Sequence, residues 1–365
     1  ADDVSRIAAN RLARGIGQRG FGNARAVRSL FERACTPAKR RYTSTNKLEI
    51  LMEDVIGSEP KREKNPELDR AMKDLEGLTG LQKVKDKVAS LVRMCLNNWL
   101  HERNGEPVDD AVLHQLFLGN PGTGKTTVAK LYGQVLKALC LLSNGDVVYK
   151  TASDFTGDAV GQAQQKTRAI LALAQGKVLV IDEAYNLDDS LYGKQALDTI
   201  VEIVTGAPGE DIAVILAGYE PQMLKMLRNQ NPGLARRFNA PNPIRFDDYS
   251  DEELQKILSD LCSAAEVSVS SQALDFAIKK LAKQRALANF GNAGAVKTMF
   301  AGAKIRMAER LTLEAENIPR QLEAQDFEDT PLNTGPSPLE QLQKMFGMEH
   351  LRDWIQRLEA KIRVR

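Results

Sequence analysis

The chain has 365 residues, of which 43% are hydrophobic, 27% charged and 5% aromatic, with a formal net charge of +2. That length suits two or three domains with ample core, no apolar run reaches the ~18 residues of a bilayer span, and near-neutral charge decides nothing about nucleic acid. Four scattered cysteines (Cys35, Cys95, Cys140, Cys262) and three histidines share no metal-ligand spacing, which argues against a disulfide scaffold or zinc site and makes a reducing, cytoplasmic setting the default expectation.

The first 45 residues carry ten Lys/Arg against three acids (Asp2, Asp3, Glu32). An Arg-rich, acid-poor start can be a transit peptide, but residues 21–31, FGNARAVRSLF, return as FGNAGAVKTMF at 290–300. Seven of eleven positions are identical at an offset of 269, and a targeting peptide has no reason to copy an internal helix. A weaker echo joins PELDRAMKDLEGLTGLQKVKDKV (66–88) to PSPLEQLQKMFGMEHLRDWIQRL (336–358), with Gly77 on Gly347 and Leu81 on Leu351 at an offset of 270. Agreement of the two offsets predicts a tandem array. Residues 1–56 read as the tail of a preceding module, 57–65 and 330–338 as polar linkers, and 339–365 as the head of a following one.

Between the linkers the pattern alternates. LHQLFLG (113–119), DVVYKTA (146–152), KVLVID (177–182), IAVILAG (212–218) and NPIRF (242–246) read as strands. Helical patterns separate them, from Gly124 to Leu139, at 164–175, at 193–205 and at 221–229. Buried apolar strands alternating with helices indicate a parallel sheet covered on both faces. After Asp251 the chain reads as purely helical, with three segments of three-to-four spacing. The expected module is therefore an α/β domain at 66–249 and a helical domain at 250–329.

GNPGTGKT, Gly119 to Thr126, matches G-x-x-x-x-G-K-[ST] between a strand and a helix. Such a loop (Asn120, Pro121, Gly122, Thr123, Gly124) wraps phosphates with backbone N–H groups at a helix N-terminus, where Thr127 also lies. Lys125 supplies charge to the β/γ-phosphates, and the Thr126 hydroxyl can ligate Mg²⁺. VLVIDE, Val178 to Glu183, is an apolar strand ending in two acids at the sheet edge where ligands of open α/β sheets collect. Asp182 is placed for the magnesium shell and Glu183 to activate water. Either acid alone could merely cap a helix; the pair downstream of a P-loop points to ATP hydrolysis.

The segments LEGLTGLQKVKDKV, LFLGNPGTGKTTVAKLYG, VGQAQQKTRAIL, KVLVIDEAYNL, AVILAGYEPQML, NPGLARRF and FGNAGAVKTMF together resemble the AAA+ ATPases, specifically the CbxX/CfqX branch with its red-type Rubisco activases and stage V sporulation protein K. The resemblance implies a P-loop sheet of order 5-1-4-3-2 with a helical lid, and hexameric rings with ATP between subunits. It also implies an unspecified protein client, with nucleic acid disfavoured for want of any recognition motif. It assigns Leu78 and Thr79 to the adenine. It makes Arg237 the arginine finger, with Arg236 as the alternative, and puts Tyr219 at the sensor-1 position.

Three departures from the family pattern stand out. The lid arginine of sensor 2, kept as Arg25 in the leading copy, is Gly294 in the complete module, with Lys297 as the nearest substitute. Ala159 stands where an aromatic grips a threaded chain, Phe155 reading as core instead. Tyr219 replaces the usual Asn or Thr. The first two losses leave a second reading open, in which the module binds ATP but hydrolyses it weakly.

Overall fold

The computed structural model describes residues 2–13, 23–109, 111–157, 161–205, 210–230, 232–285, 290–313 and 320–328. Three helices lead, α1 (Asp2–Ala13), α2 (Asn23–Thr45) and α3 (Met52–Ile56), followed by α4 (Pro66–Gly77) and α5 (Gln82–Asn104). The α/β body comprises β1 (Gln115–Gly119), α6 (Lys125–Ala138), β2 (Val147–Thr151), α7 (Ala152–Phe155), α8 (Gln162–Leu173), β3 (Val178–Asp182), α9 (Leu191–Ile203), β4 (Ala213–Gly218), α10 (Glu220–Asn229), α11 (Pro232–Arg237) and β5 (Ile244–Phe246). A single 3₁₀ turn, Ala184–Asp189, links β3 to α9.

All five strands are parallel, in the order β2-β3-β4-β1-β5, the arrangement that the family resemblance implies. Their side chains divide strictly by parity. Val178, Val180, Ala213, Ile215 and Phe117 face the core under α4, α5 and α6. Leu179, Ile181, Val214, Leu216 and Leu116 face the core under α8, α9 and α10. Burying one such side chain is worth about 1.5–3 kcal/mol, while the whole strand-propensity scale spans only ~1 kcal/mol. A register slip would turn every one of these residues to the wrong layer, so patterning fixes the sheet. Phe155, fully buried in the second layer, is a core residue.

The lid holds α12 (Asp251–Ala264), β6 (Ser268–Val269), α13 (Ser271–Arg285), α14 (Asn292–Leu313), β7 (Gln321–Leu322) and a final 3₁₀ turn, Ala324–Phe327. The expectation of a purely helical lid is corrected here. β6 and β7 form a two-stranded parallel sheet, Ser268 opposite Gln321 and Val269 opposite Leu322. Strands of two residues carry no alternation to read, which is why the sequence hides them.

Residues 57–65 have linker composition yet lie folded against the body. Glu59 is buried and ion-paired with Lys61 (2.5 Å) and Lys64 (2.6 Å), and Trp99 Nε1 donates to the Gly57 carbonyl at 3.0 Å. Local pairing lets a charged stretch pack. Buried Asn65 closes it, its Oδ1 accepting from Leu68 N–H at the start of α4 and its Nδ2 donating to the Ala138 carbonyl at the end of α6. Residues 329–365, and with them the expected second linker and following module, lie outside the described residues.

Asn65 thus anchors the P-loop helix from its far end. Asn65→Ala removes a helix cap and orphans a carbonyl, and is expected to destabilise the chain by about 1–3 kcal/mol; urea unfolding followed by circular dichroism checks this.

Candidate functional site

The site forms along the carboxyl ends of β1, β4 and β3, adjacent in that order. β1 ends at Gly119, where an added Cβ would lie 2.4 Å from the Phe246 carbonyl of β5. The loop then turns through Gly122 and Gly124, at φ +69° and +97°, conformations that cost a side-chain-bearing residue energy. Gly124 caps α6 with no side-chain acceptor. The first N–H groups of that helix consequently find no partner within it and face the loop's concavity.

Thr123 is buried and its hydroxyl donates to the Asn120 carbonyl at 2.8 Å. Lys125 donates to the Gly119 and Asn120 carbonyls, both at 2.8 Å. Burial pulls its ammonium pKa down, and the Asp182 and Glu183 carboxylates work against that pull. The three charges therefore share one field. Thr126 and Thr127 are exposed at the mouth, with the Thr126 carbonyl taking a hydrogen bond from the Tyr149 hydroxyl at 2.8 Å.

Asp182 ends β3 with an exposed side chain that accepts the Glu183 N–H at 3.0 Å. Glu183 itself sits at φ 47°, ψ 41°, a left-handed conformation worth about 1–3 kcal/mol of strain for a non-glycine residue. The turn aims its carboxylate outward, beside the end of β4. There Tyr219 caps α10, and its ring lies 5.9 Å from that of Tyr185. Burial pushes the Tyr185 phenol up to about 12, with the Glu183, Tyr219 and Asp182 charges adding to the effect. Tyr185 thus remains a hydroxyl donor next to the two acids, and sequence reasoning had passed over it.

The turn containing Leu78 and Thr79 approaches the loop from α5. Lys85 donates to the Leu78 carbonyl at 2.5 Å, and Leu81, itself at φ 60°, reaches to 3.5 Å from where a Gly124 Cβ would sit.

From above, the lid meets the P-loop through close backbone contacts at Gly122 and through one side chain, that of Asn292. A Cβ on Gly122 would fall 2.0 Å from the Gly291 carbonyl, and Ala293 N–H donates to the Gly122 carbonyl at 3.2 Å. Fully buried Asn292 joins the parts. Its Nδ2 donates to Asp248 at 2.7 Å and to the Pro121 carbonyl at 3.3 Å, while its Oδ1 accepts Tyr249 N–H at 3.0 Å. Asn120 donates to both oxygens of Asp248 at 2.9 Å, and the Tyr249 hydroxyl donates to the Thr123 carbonyl. Asp248 and Tyr249 lie at the domain boundary and give no motif signal; Asn292 was visible only as part of the repeat.

The two arginine-finger candidates, expected to act on a neighbouring subunit, lie away from this cluster. Arg236 is exposed, and Arg237 turns Nη1 back to the Gly233 carbonyl at 3.2 Å with its Nε buried and unpartnered. Neither has a hydrogen bond or ion pair to the P-loop, Asp182 or Glu183 among the described residues. Ala159 lies outside the described residues.

Residues 115–237 match the profile of the ATPase family associated with various cellular activities (AAA), and residues 250–335 match the AAA lid domain. The ribulose bisphosphate carboxylase/oxygenase activase of Cyanidioschyzon merolae is 35% identical over 64% of this chain and 76% of its own length. The chain belongs to the AAA ATPases. Within them it falls among CbxX/CfxQ-type proteins. The CfxQ protein of Xanthobacter flavus is 35% identical over 65% of this chain and 74% of its own length. Stage V sporulation protein K of Bacillus subtilis is 36% identical over 55% of this chain and 62% of its own length. Membership implies nucleotide binding, and the uncapped start of α6, the half-buried lysine amine and the adjacent carboxylates fit a magnesium-bound triphosphate.

Position 294 is the point where this AAA ATPase departs most from its own leading copy. Gly294 is exposed and helical, and a Cβ there would stand 4.0 Å from the Gly122 Cα. An arginine is therefore sterically admissible and starts directly over the phosphate loop. Gly294→Arg is expected to leave the melting temperature unchanged and to tighten MgATP about tenfold or more, as a charge-assisted hydrogen bond is worth about 1.5–3 kcal/mol; isothermal titration calorimetry reads the change.

Proposed function

We propose that this chain is the MgATP-hydrolysing module of a tandem, ring-forming ATPase that remodels a protein client. The shared field of Lys125, Asp182 and Glu183 at the carboxyl edge of the sheet supports this reading. Lys125 would hold the charge of the β/γ-phosphates, while Leu78 and Thr79 flank the base. Thr126 and Asp182 would hold Mg²⁺, which when bound neutralises phosphate charge. Glu183 takes the proton of the attacking water, with the Tyr185 and Tyr219 hydroxyls available to orient it. Arg237, or the more exposed Arg236 beside it, would reach a neighbouring subunit's phosphates in a ring, probed by mutating each. The relatives named activases act by name on another enzyme, and a protein client is the corresponding reading here.

A nucleic-acid motor is less well supported. Four of the ten basic residues of the first 45 positions are paired within the chain: Arg6 on Asp3 and the Asn104 carbonyl, Arg11 on Glu102, Arg28 on Glu32, and Arg41 on Asp54. The second reading, a module that binds ATP but serves as a structural ring layer, draws on Gly294 and Ala159. The two separate in one measurement. Glu183→Gln is expected to lower single-turnover hydrolysis by ~10²–10⁴-fold while MgATP binding persists. A rate that does not respond to this change would leave only the binding role.

A further inference from the structure

The repeat found in the sequence extends into side-chain contacts. At the offset of 269, α1 corresponds to α13 and α2 to α14; beyond α2 the offset becomes 272, and there α3 takes the place of the final 3₁₀ turn. Lys280 donates to the Phe327 carbonyl at 2.9 Å, and its counterpart Arg11 donates to the Val55 carbonyl. Arg310 grips both oxygens of Asp326 and the Gln321 carbonyl; its counterpart Arg41 grips both oxygens of Asp54 and the Glu49 carbonyl. Asp326 accepts Glu323 N–H, and Asp54 accepts Leu51 N–H, the same reach of a carboxylate back to the residue that opens the turn. Residues 2–13 and 23–56 therefore rebuild the second half of a lid.

What does not recur is the lid's first half. In the complete lid, α12 packs on α14 and places Leu254, Leu258 and Cys262 in one core with Val296 and Phe300. Val296 is 0% and Phe300 7% exposed there. Their counterparts Val27 and Phe31 are 52% and 59% exposed, one turn apart on a single face of α2. Residues 49–50, matching β7, have no strand partner among the described residues, where β7 has β6. α12 and β6 cover this face in the complete lid, and no counterpart of either lies over Val27 and Phe31 among the described residues.

We propose that Val27 and Phe31 form a docking surface for one amphipathic helix of the α12 kind, supplied by polypeptide joined ahead of α1. This inference rests on the tandem reading and is independent of ATP hydrolysis. The source follows from spacing and burial. In the lid only Ser270 separates β6 from α13, so the covering helix and strand lie immediately before the helix that α1 reproduces. A second copy of the chain cannot lend its own α12 without exposing Leu254 and Leu258, both fully buried.

The test fuses a second copy of residues 250–269 directly ahead of Ala1. Expected results are slowed amide exchange across 26–34, roughly tenfold or more, and a raised melting temperature. Val27→Asp/Phe31→Asp should erase both gains in the fused chain, yet leave the unfused chain's melting temperature unchanged because both positions are exposed. Exchange identical to the unfused chain, or protection that survives the double substitution, would overturn the proposal. So would self-association of the unfused chain, seen by sedimentation and abolished by the same pair, since a second copy would then be the occupant. MgATP titration of the fused chain runs alongside, and a loss there bears on the phosphate site alone.

Discussion

The P-loop and the lid meet at a point with no room for a side chain. Gly122 lies against the Gly291 carbonyl and the Gly294 amide so closely that a single methyl group would enter both. That approach decides where the lid can sit, because interiors packed to this density have no continuous range of nearby arrangements. It also explains the polar junction around it. Asn292 is held at φ 47° with its amide shared among Asp248, Pro121 and Phe290. An amide buried without those partners would cost about 1–3 kcal/mol. Loop, sheet end and lid are thereby registered by one side chain and one glycine contact.

Strain and electrostatics at the other end of the site follow from the same packing. Glu183 leaves β3 in a left-handed turn, which only a well-supported neighbourhood maintains. Tyr185 provides part of that support by lying over Gly218, where an added Cβ would come within 2.8 Å of its ring. A tyrosine stacked there needs glycine at the end of β4, and this places its hydroxyl beside the acids. Two phenols, Tyr185 and Tyr219, with rings 5.9 Å apart, therefore flank the end of β4.

The elements legible in the sequence were those whose signal is periodic or conformationally costly. Strands β1, β3 and β4 declared themselves because both faces are buried, and Gly119, Gly122 and Gly124 because few other residues tolerate their geometry. Lys125, Asp182 and Glu183 followed from position relative to those elements. Illegible were the contacts that join segments far apart in the chain. Asp248 and Asn292 are ordinary polar letters until folding brings them to 2.7 Å. The β6–β7 pair is too short for pattern, and the charged stretch 57–65 reads as linker because its pairing partners are equally polar. The repeat lay in between, visible as letters at 21–31 but meaningful only once Arg41 and Arg310 were seen to make the same grip.

One helix connects the two ends of the molecule. α5 begins at Leu81, against the loop glycine, and ends where Trp99, Glu102 and Asn104 meet Gly57, Arg11 and Arg6. At 1.5 Å per residue its 23 residues span about 35 Å. A rod of that length bends little and is clamped at both tips. The leading helices and the turn at Leu78 and Thr79 are thus joined through a single element rather than through the sheet.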